Sequence, residues 1–330
     1  METKFPPCVS IVVPVYNVEK HIAACMDSLI HQTYSNIEII VVNDGTEDES
    51  IAVAENILKT SNKRYEIIHQ NNAGVSRARN NGIKHSRGEY VITIDADDMI
   101  TYDGIEKLVS SCVSNQKVQC SVGSYKVIKI DDSNNKTIKK KYVSENDTQR
   151  LLSGKEALLN YFSRKEVYIA PGMLLKRSFL QEHNITYNEE CKFAEDDLYV
   201  WNVLAHVDTM AYHTADIYQY VFHKNSTMTS CTYDRFYSSY QSSIELFERV
   251  IQNSENAQSI RNVFVARHMF GVIHAAARVL NLSEFKSLLK ETDFDELSKQ
   301  LKYMEDKRIS ILIYIYRLSK TLFYILCSAA

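Results

Sequence analysis

The first hundred residues alternate between two hydrophobic periods, and that alternation limits the architectures open to the chain more than any other feature. Apolar runs at 9–15 (VSIVVPV), 37–42 (IEIIVV), 65–69 (YEIIH) and 90–94 (YVITI) predict strands buried on both faces. Between them, EKHIAACMDSLIHQ, DESIAVAENILKT and VSRARNNGIKHS carry helical spacing. Strand and helix in turn imply an α/β fold, a parallel sheet with helices on its faces joined by right-handed crossovers. Ligands of such sheets sit beyond the carboxyl ends of the strands. Here those ends read PVYN, NDG and DADD, so three polar clusters are expected on one rim.

Further along, 118–130 predicts another strand, and DDSNNKTIKKKYVSENDTQ a polar surface excursion. Ser153 stands where it can cap a helix over SGKEALLNYF. From about Tyr233 the pattern is mostly helical, which puts a boundary near 230: an α/β domain over 1–230 and a helical region over 231–330.

A net charge of −3 gives no support to nucleic-acid binding, whose affinity comes from many Lys and Arg contacts to phosphate. The seven cysteines (Cys8, Cys25, Cys112, Cys120, Cys191, Cys231, Cys327) are scattered and odd in number, with no C-x-x-C pair. Neither a disulfide framework nor a zinc site is expected, and a reducing cytosol fits best. The N-terminal apolar run is too short for a signal peptide. At the other end, 309–326 is strongly apolar but holds Arg317 and Lys320 near its middle, which disfavours a membrane span. On a helical wheel Ile311, Leu312, Ile315, Tyr316, Leu318, Leu322, Phe323, Ile325 and Leu326 cover about half the circumference. That suits a helix lying in the membrane interface; the alternative is a helix docked on the chain's own core.

The fourth strand runs into Asp95, Asp97 and Asp98. Carboxylates so close raise one another's pKa unless a cation compensates, and Mg²⁺ is commonly held by one or two carboxylates plus nucleotide phosphates. A metal–diphosphate site is therefore expected. An EF-hand loop is disfavoured because Met99 and Ile100 fall where ligand and glycine should be, and a haloacid-dehalogenase-like phosphatase would want threonine at Met99. A helix start decorated with Asp is the structural alternative. The nine glycines form no G-x-G-x-x-G, and no G-K-[ST] is present.

VSIVVPVYNVEKHIAACMDSLIHQTYSNIEIIVVNDGTEDES followed by NAGVSRARNNGIKHSRGEYVITIDADD resembles the donor-binding half of glycosyltransferase family 2, whose members have the GT-A fold, a Rossmann-like nucleotide-binding sheet flanked by helices. The resemblance runs nearly unbroken from Val9 to Asp98. It implies a donor-binding half over about 1–130 and an acceptor and base half over about 150–230. Pro14, Val15 and Tyr16 would line the nucleotide base pocket, and Asp44 would bond the uracil or ribose. Arg79 would lie near the diphosphate, with Arg77 a second candidate. Asp95 would bind the ribose side of the sugar nucleotide and Asp97 a divalent cation, Mn²⁺ or Mg²⁺, with Asp98 supporting either.

CKFAEDDLYVW resembles the acidic motif that carries the family's general base. Glu195 and Asp196 match its Glu-Asp pair, which makes Asp196 the expected base, while Asp197 leaves the register open by one residue. YQYVFHKNSTMTS resembles the segment that follows, where His223 would reach the diphosphate or the metal. The implied activity is an inverting, metal-dependent transfer of a hexose or N-acetylhexosamine from a UDP-sugar to a glycan hydroxyl. The acceptor would be lipid-linked, on a lipid diphosphate, in O-antigen, capsule or lipopolysaccharide synthesis. The protein would work in the cytoplasm, peripherally at the cytoplasmic face of the inner membrane. The alternative is a sugar-nucleotide or polysaccharide-binding module without turnover.

Overall fold

β-Branched runs form the strands at the positions where the alternation puts them. The computed structural model describes residues 6–130, 136–141, 148–162, 165–222, 232–251, 257–303 and 307–329. Strands β1 (Val9–Val15), β2 (Ile37–Asn43), β3 (Arg64–His69) and β4 (Tyr90–Thr93) pair in parallel in the spatial order β3-β2-β1-β4. Helices α1 (Ile22–Ile30), α2 (Ser50–Thr60) and α3 (Val75–His85) are the crossovers between them. Every residue of β1 is buried, because β2 and β4 flank it and helices cover its faces. Pro14 is tolerated there because pairing with β4 ends at Val12–Thr93, before the missing N–H would be needed. β3 differs from expectation: it forms the sheet edge, and its residues are exposed or half-buried rather than covered on both faces.

The remaining strands extend this sheet to ten. β5 (Met99–Ile100), β6 (Cys120–Ile130), β7 (Lys136–Lys141), β8 (Gln149–Leu152), β9 (Leu174–Lys176) and β10 (Met210–Val221) complete the order β3-β2-β1-β4-β9-β6-β10-β5, with β7 on β6 and β8 on β10. The charged stretch expected as a loop thus contains a strand, β7, whose ladder partner β6 supplies what its own composition does not. Helices α4 (Gly104–Ser114), α5 (Gly154–Phe162) and α6 (Arg177–Glu182) follow β5, β8 and β9. Ser153 caps α5, its Oγ accepting from the Glu156 N–H at 3.2 Å. Gly82 lets α3 press onto β1, since a Cβ there would lie 2.2 Å from Val12 Cγ1.

The chain packs as two units interleaved in sequence. One comprises 1–157, 167–187 and 206–223 and holds the whole sheet; the other comprises 158–166, 188–205 and 224–330. The last crossing, at 223/224, lies close to the expected boundary at 230, whereas 158–166 and 188–205 join the second unit although they precede it. The second unit is helical: α7 (Glu195–His206, its last residue in the first unit), α8 (Tyr233–Ile251), α9 (Ala257–Val279), α10 (Leu282–Glu291), α11 (Phe294–Ser298), a 3-10 turn at Lys299–Tyr303, α12 (Lys307–Leu318) and α13 (Lys320–Ser328). Its core gathers Phe236, Phe270, Phe285, Phe294, Tyr316 and Phe323. Asn281 and Glu284 close a reciprocal capping box at the start of α10.

The expected single helix over 309–326 is two helices. Ser319 has extended backbone (φ −160°, ψ 112°), and its hydroxyl accepts from Leu322 N–H, stopping α12 and starting α13. The apolar stripe also divides. Tyr316 and Phe323 are buried in the second core, while Ile311, Leu318, Leu322, Ile325 and Leu326 are exposed. No helix among the described residues is long and apolar enough to cross a membrane.

Candidate active site

The carboxyl ends of β1, β2 and β4 form one rim, as a parallel sheet requires. Register pairs Val15 with Asn43, and the Asp44 N–H donates to the Val15 carbonyl at 3.0 Å, so PVYN and NDG emerge side by side. Their loops are sewn together. Asn17, in the left-handed region at φ 50°, donates its N–H to Thr46 Oγ1 at 2.6 Å and accepts from Thr46 Oγ1 and the Glu47 N–H. Asp48 accepts from Glu19 N–H and Ser50 N–H; burial would raise its carboxyl, but these bonds and the Ser50 and Thr46 hydroxyls hold it below its ordinary value.

Of the residues expected around the base, Tyr16 is 48% exposed at the rim, whereas Val15 is fully buried in the sheet core. Val15 therefore cannot line a pocket by its side chain, because its side chain packs within the core that β1 builds. Pro14 is buried within β1 as well. Asp44 is 3% exposed, and its carboxylate accepts from Gln70 Nε2 (2.8 Å), Ala73 N–H (2.8 Å) and Gly74 N–H (2.9 Å). Three of about four acceptor positions on the carboxylate are thus used to fasten the loop before α3.

The three acids at the end of β4 have separate environments. Asp95 is paired with Arg79 at 2.7 Å. That arginine, expected near a diphosphate, is 2% exposed, lies 5.0 Å from the Tyr187 ring centroid, and spends its charge on Asp95, as a buried guanidinium must. Arg77, two residues earlier on α3, is exposed. Asp98 is 2% exposed; Tyr218 OH donates to its Oδ2 at 2.6 Å and Val221 N–H to its Oδ1 at 2.7 Å. Burial, then the charges of Asp97 and Asp95, push the Asp98 carboxyl well above the usual range, while Tyr218 and Val221 oppose the shift. Both Asp98 oxygens accept from β10, so its carboxyl holds that strand against the rim. Asp97, between them, keeps part of its surface exposed. Buried Cys25 lies beneath, its Sγ 3.6 Å from the Asp95 carbonyl; burial, then Asp98, Asp97 and Asp95, raise its thiol far above the ordinary value.

Crowded carboxylates of this kind fit a cation. No three His, Cys, Asp or Glu side chains converge as a metal cage among the described residues. A hard divalent ion held by one carboxylate and a nucleotide's phosphates needs no such cage. His223, expected to help, lies outside the described residues.

Two tyrosines complete the rim that sequence spacing did not reveal. Tyr187 stacks under Arg79, bonds Thr93 Oγ1 at 3.0 Å through its hydroxyl, and exchanges two backbone hydrogen bonds of 2.9 Å with the Asn80 amide. Tyr218 bonds Asp98, and its oxygen lies 3.4 Å from the Asp95 nitrogen. They lie 107 residues from Asn80 and 120 from Asp98, and no local pattern marks them.

In the second unit, Glu195, Asp196 and Asp197 form the first turn of α7, where acids favour the helix dipole. Ala194, just before them, is held at φ 58°, a left-handed conformation that costs an alanine about 1 kcal/mol or more. Asp197 accepts a hydrogen bond from Tyr161 OH. Glu195 and Asp196 are half-buried. Below the turn, Trp201 packs edge-on against His268, whose Nε2 lies 2.9 Å from Ser239 Oγ.

Known proteins agree with this architecture. The family model described as Glycosyl transferase family 2 matches residues 10–183. The uncharacterized glycosyltransferase EpsJ of Bacillus subtilis (strain 168) is 31% identical over 82% of this chain and 78% of that protein. The poly(ribitol-phosphate) beta-glucosyltransferase of Bacillus spizizenii is 29% identical over 79% of this chain and 40% of its own length. Among solved structures, S. aureus TarS 1-349 in complex with UDP-GlcNAc superposes with a TM-score of 0.71 at 17% identity, covering 98% of this chain and 90% of that one. A mannosyltransferase from Pyrobaculum calidifontis, in complex with GDP-Man and Mn²⁺, reaches a TM-score of 0.53 at 14% identity over 96% of this chain and 88% of its own. With its GT-A-like sheet, its acid-bearing rim and a family match over more than half its length, the chain belongs to glycosyl transferase family 2 and is a glycosyltransferase.

Proposed function

We propose that the protein is an inverting hexosyltransferase that moves a hexose or N-acetylhexosamine from a UDP-sugar to a hydroxyl of a lipid-linked glycan, in surface-polysaccharide synthesis of the O-antigen, capsule or lipopolysaccharide kind. The observation that carries this reading is the division among the rim acids. Asp95 is tied to Arg79 and Asp98 to β10, and partly exposed Asp97 stands between them. Structures of TarS with UDP and with UDP-GlcNAc support the donor, and the name of the poly(ribitol-phosphate) beta-glucosyltransferase supports a polymer hydroxyl as acceptor. The cytoplasmic membrane face, where lipid-linked acceptors are met, is the proposed location.

In this reading Tyr16 offers its exposed ring to the base, and Asp44 keeps one acceptor position for uracil or ribose. Asp95, oriented by Arg79, receives the ribose hydroxyls, and exposed Arg77 supplies positive charge toward the diphosphate. Asp97 would hold Mn²⁺ or Mg²⁺, which when bound neutralises charge on the leaving diphosphate. Asp196 takes the proton of the acceptor hydroxyl as that oxygen bonds to the anomeric carbon, and the bond from that carbon to the diphosphate oxygen breaks, releasing UDP with inversion. Asp197, which accepts a hydrogen bond from Tyr161, is the alternative base one residue on.

The test is UDP release from a panel of UDP-sugars offered with a synthetic lipid-diphosphate sugar. Release that depends on divalent cation and is lost in Asp97→Ala is the expected result. Tight UDP binding with neither transfer nor hydrolysis on any acceptor would instead mean a binding module and overturn the reading.

A further inference from the structure

The last two helices of the second unit each bury one apolar face and expose another. α12 and α13 pack on one another, and Ile309, Ile313, Tyr316, Phe323 and Cys327 face the core. On their outer sides α12 presents Ile311, Tyr314 and Leu318, at 60%, 64% and 65% exposure, and α13 presents Leu322, Ile325 and Leu326, at 45%, 53% and 44%. The spacings i, i+3, i+7 and i, i+3, i+4 put each set on one helix face. Six large apolar side chains exposed on two helices that pack together call for a cover.

Charge narrows what the cover is. Residues 307–330 contain Lys307, Arg308, Arg317 and Lys320 and no acid, so this stretch carries +4 in a chain whose net charge is −3. Where the helices break at Ser319, a cavity of about 670 Å³ is lined by Lys299, Arg317 and Lys320 together with Asp295. Lys320 bonds Asp295, Lys299 pairs with Glu296, and Arg317 donates a hydrogen bond to the Ser298 carbonyl at 3.0 Å. Burial would raise the Asp295 carboxyl, but bonds from Lys320 and Tyr316 hold it below its ordinary value. The excess of positive charge on these helices favours an anionic surface as the cover. Among the described residues these helices are also too short to cross a membrane, α12 and α13 being 12 and 9 residues long with the break between two cations.

We infer that the outer faces of α12 and α13 seat the protein on an anionic lipid bilayer, the six apolar side chains entering the headgroup–acyl boundary while the excess basic charge of 307–320, Arg317 at the cavity included, meets lipid phosphates. Exposed apolar area combined with adjacent cations is the chemistry by which helices lie in a membrane surface. The inference deepens the membrane location proposed above and rests on it for its setting; sugar transfer enters neither its argument nor its readout.

The test is flotation of the full chain with vesicles of phosphatidylcholine alone and of phosphatidylcholine mixed with phosphatidylglycerol. Binding to the mixed vesicles only, weakened by salt and reduced about tenfold or more in Leu318→Glu/Ile325→Glu, is the expected result. Both positions are exposed, so the variant should fold, and an unchanged melting temperature and UDP affinity check this. Absence of wild-type flotation, or equal binding to both vesicle types, overturns the inference. A concentration-dependent dimer that the same variant abolishes, without vesicle binding, overturns it in favour of a second copy. Loss of UDP-sugar turnover with vesicle binding intact would strike the functional reading alone.

Discussion

Arg79 and Asp95 form an ion pair of 2.7 Å in which the arginine is 2% exposed and the aspartate 22%. A guanidinium that far from water depends on its carboxylate, and the carboxylate is aimed by it. Replacing the cation by a shorter apolar chain, Arg79→Met, should lower unfolding free energy by about 3 kcal/mol, measured by urea denaturation. UDP affinity, followed by calorimetry, should fall in the same variant because Asp95 loses its tether. Equal stability to wild type would show that the pair contributes nothing net.

Tyr218→Phe removes one of the two donors that satisfy Asp98. Leaving a buried carboxyl short of a hydrogen-bond partner costs about 1 to 3 kcal/mol, so the melting temperature should drop measurably. Because β10 would still be held through Val221 N–H, the fold should persist and UDP binding should weaken only modestly.

The two acids at the start of α7 should separate kinetically. Asp196→Asn is expected to reduce kcat about 10²-fold or more with the UDP dissociation constant unchanged, as for loss of a general base. Asp197→Asn, whose carboxylate is engaged by Tyr161, should cost stability and less than about tenfold in rate. Reversed magnitudes would move the base by one residue.

Acid should destabilise the helical unit through His268. Burial, partly opposed by Asp197, pulls its imidazole down from 6.5 to about 4. As pH falls below about 6.5 the unfolded chain takes up this proton and the folded chain does not, so stability is full above that value and declines toward pH 4. The decline from this group is up to about 3 kcal/mol. Thermal melts from pH 7 to 4.5 should therefore fall less steeply for His268→Gln than for wild type, starting from a lower value at pH 7 where Ser239 and Trp201 lose their partner.

Residues 9–94 were readable because their strands lie between covering helices, where burial writes unbroken apolar runs. β3 escaped the rule for the opposite reason: a sheet edge leaves YEIIH half-exposed, although its composition resembles the inner strands. β7 was hidden because KTIKKK owes its extended state to β6, not to its own residues. At the site, the acids were visible as a cluster, but their division was not. Whether an Asp holds a ligand or a strand depends on Tyr187 and Tyr218, which approach from remote sequence. The break at Ser319 left no helical irregularity in the pattern, since serine fits either a helix interior or a cap.

Asp98 is satisfied by a strand 120 residues downstream, and Asn80 grips Tyr187 at 107. A fragment ending near residue 130 would contain every donor motif yet bury a carboxylate without donors and an arginine without its aromatic floor. The donor half is consequently not a transplantable module. Chimeras that exchange acceptor-side segments between relatives should keep 167–187 and 206–223 with the host sheet and place their junctions elsewhere. The same constraint ties the inheritance of nucleotide recognition to segments that never touch a nucleotide in the proposed mechanism.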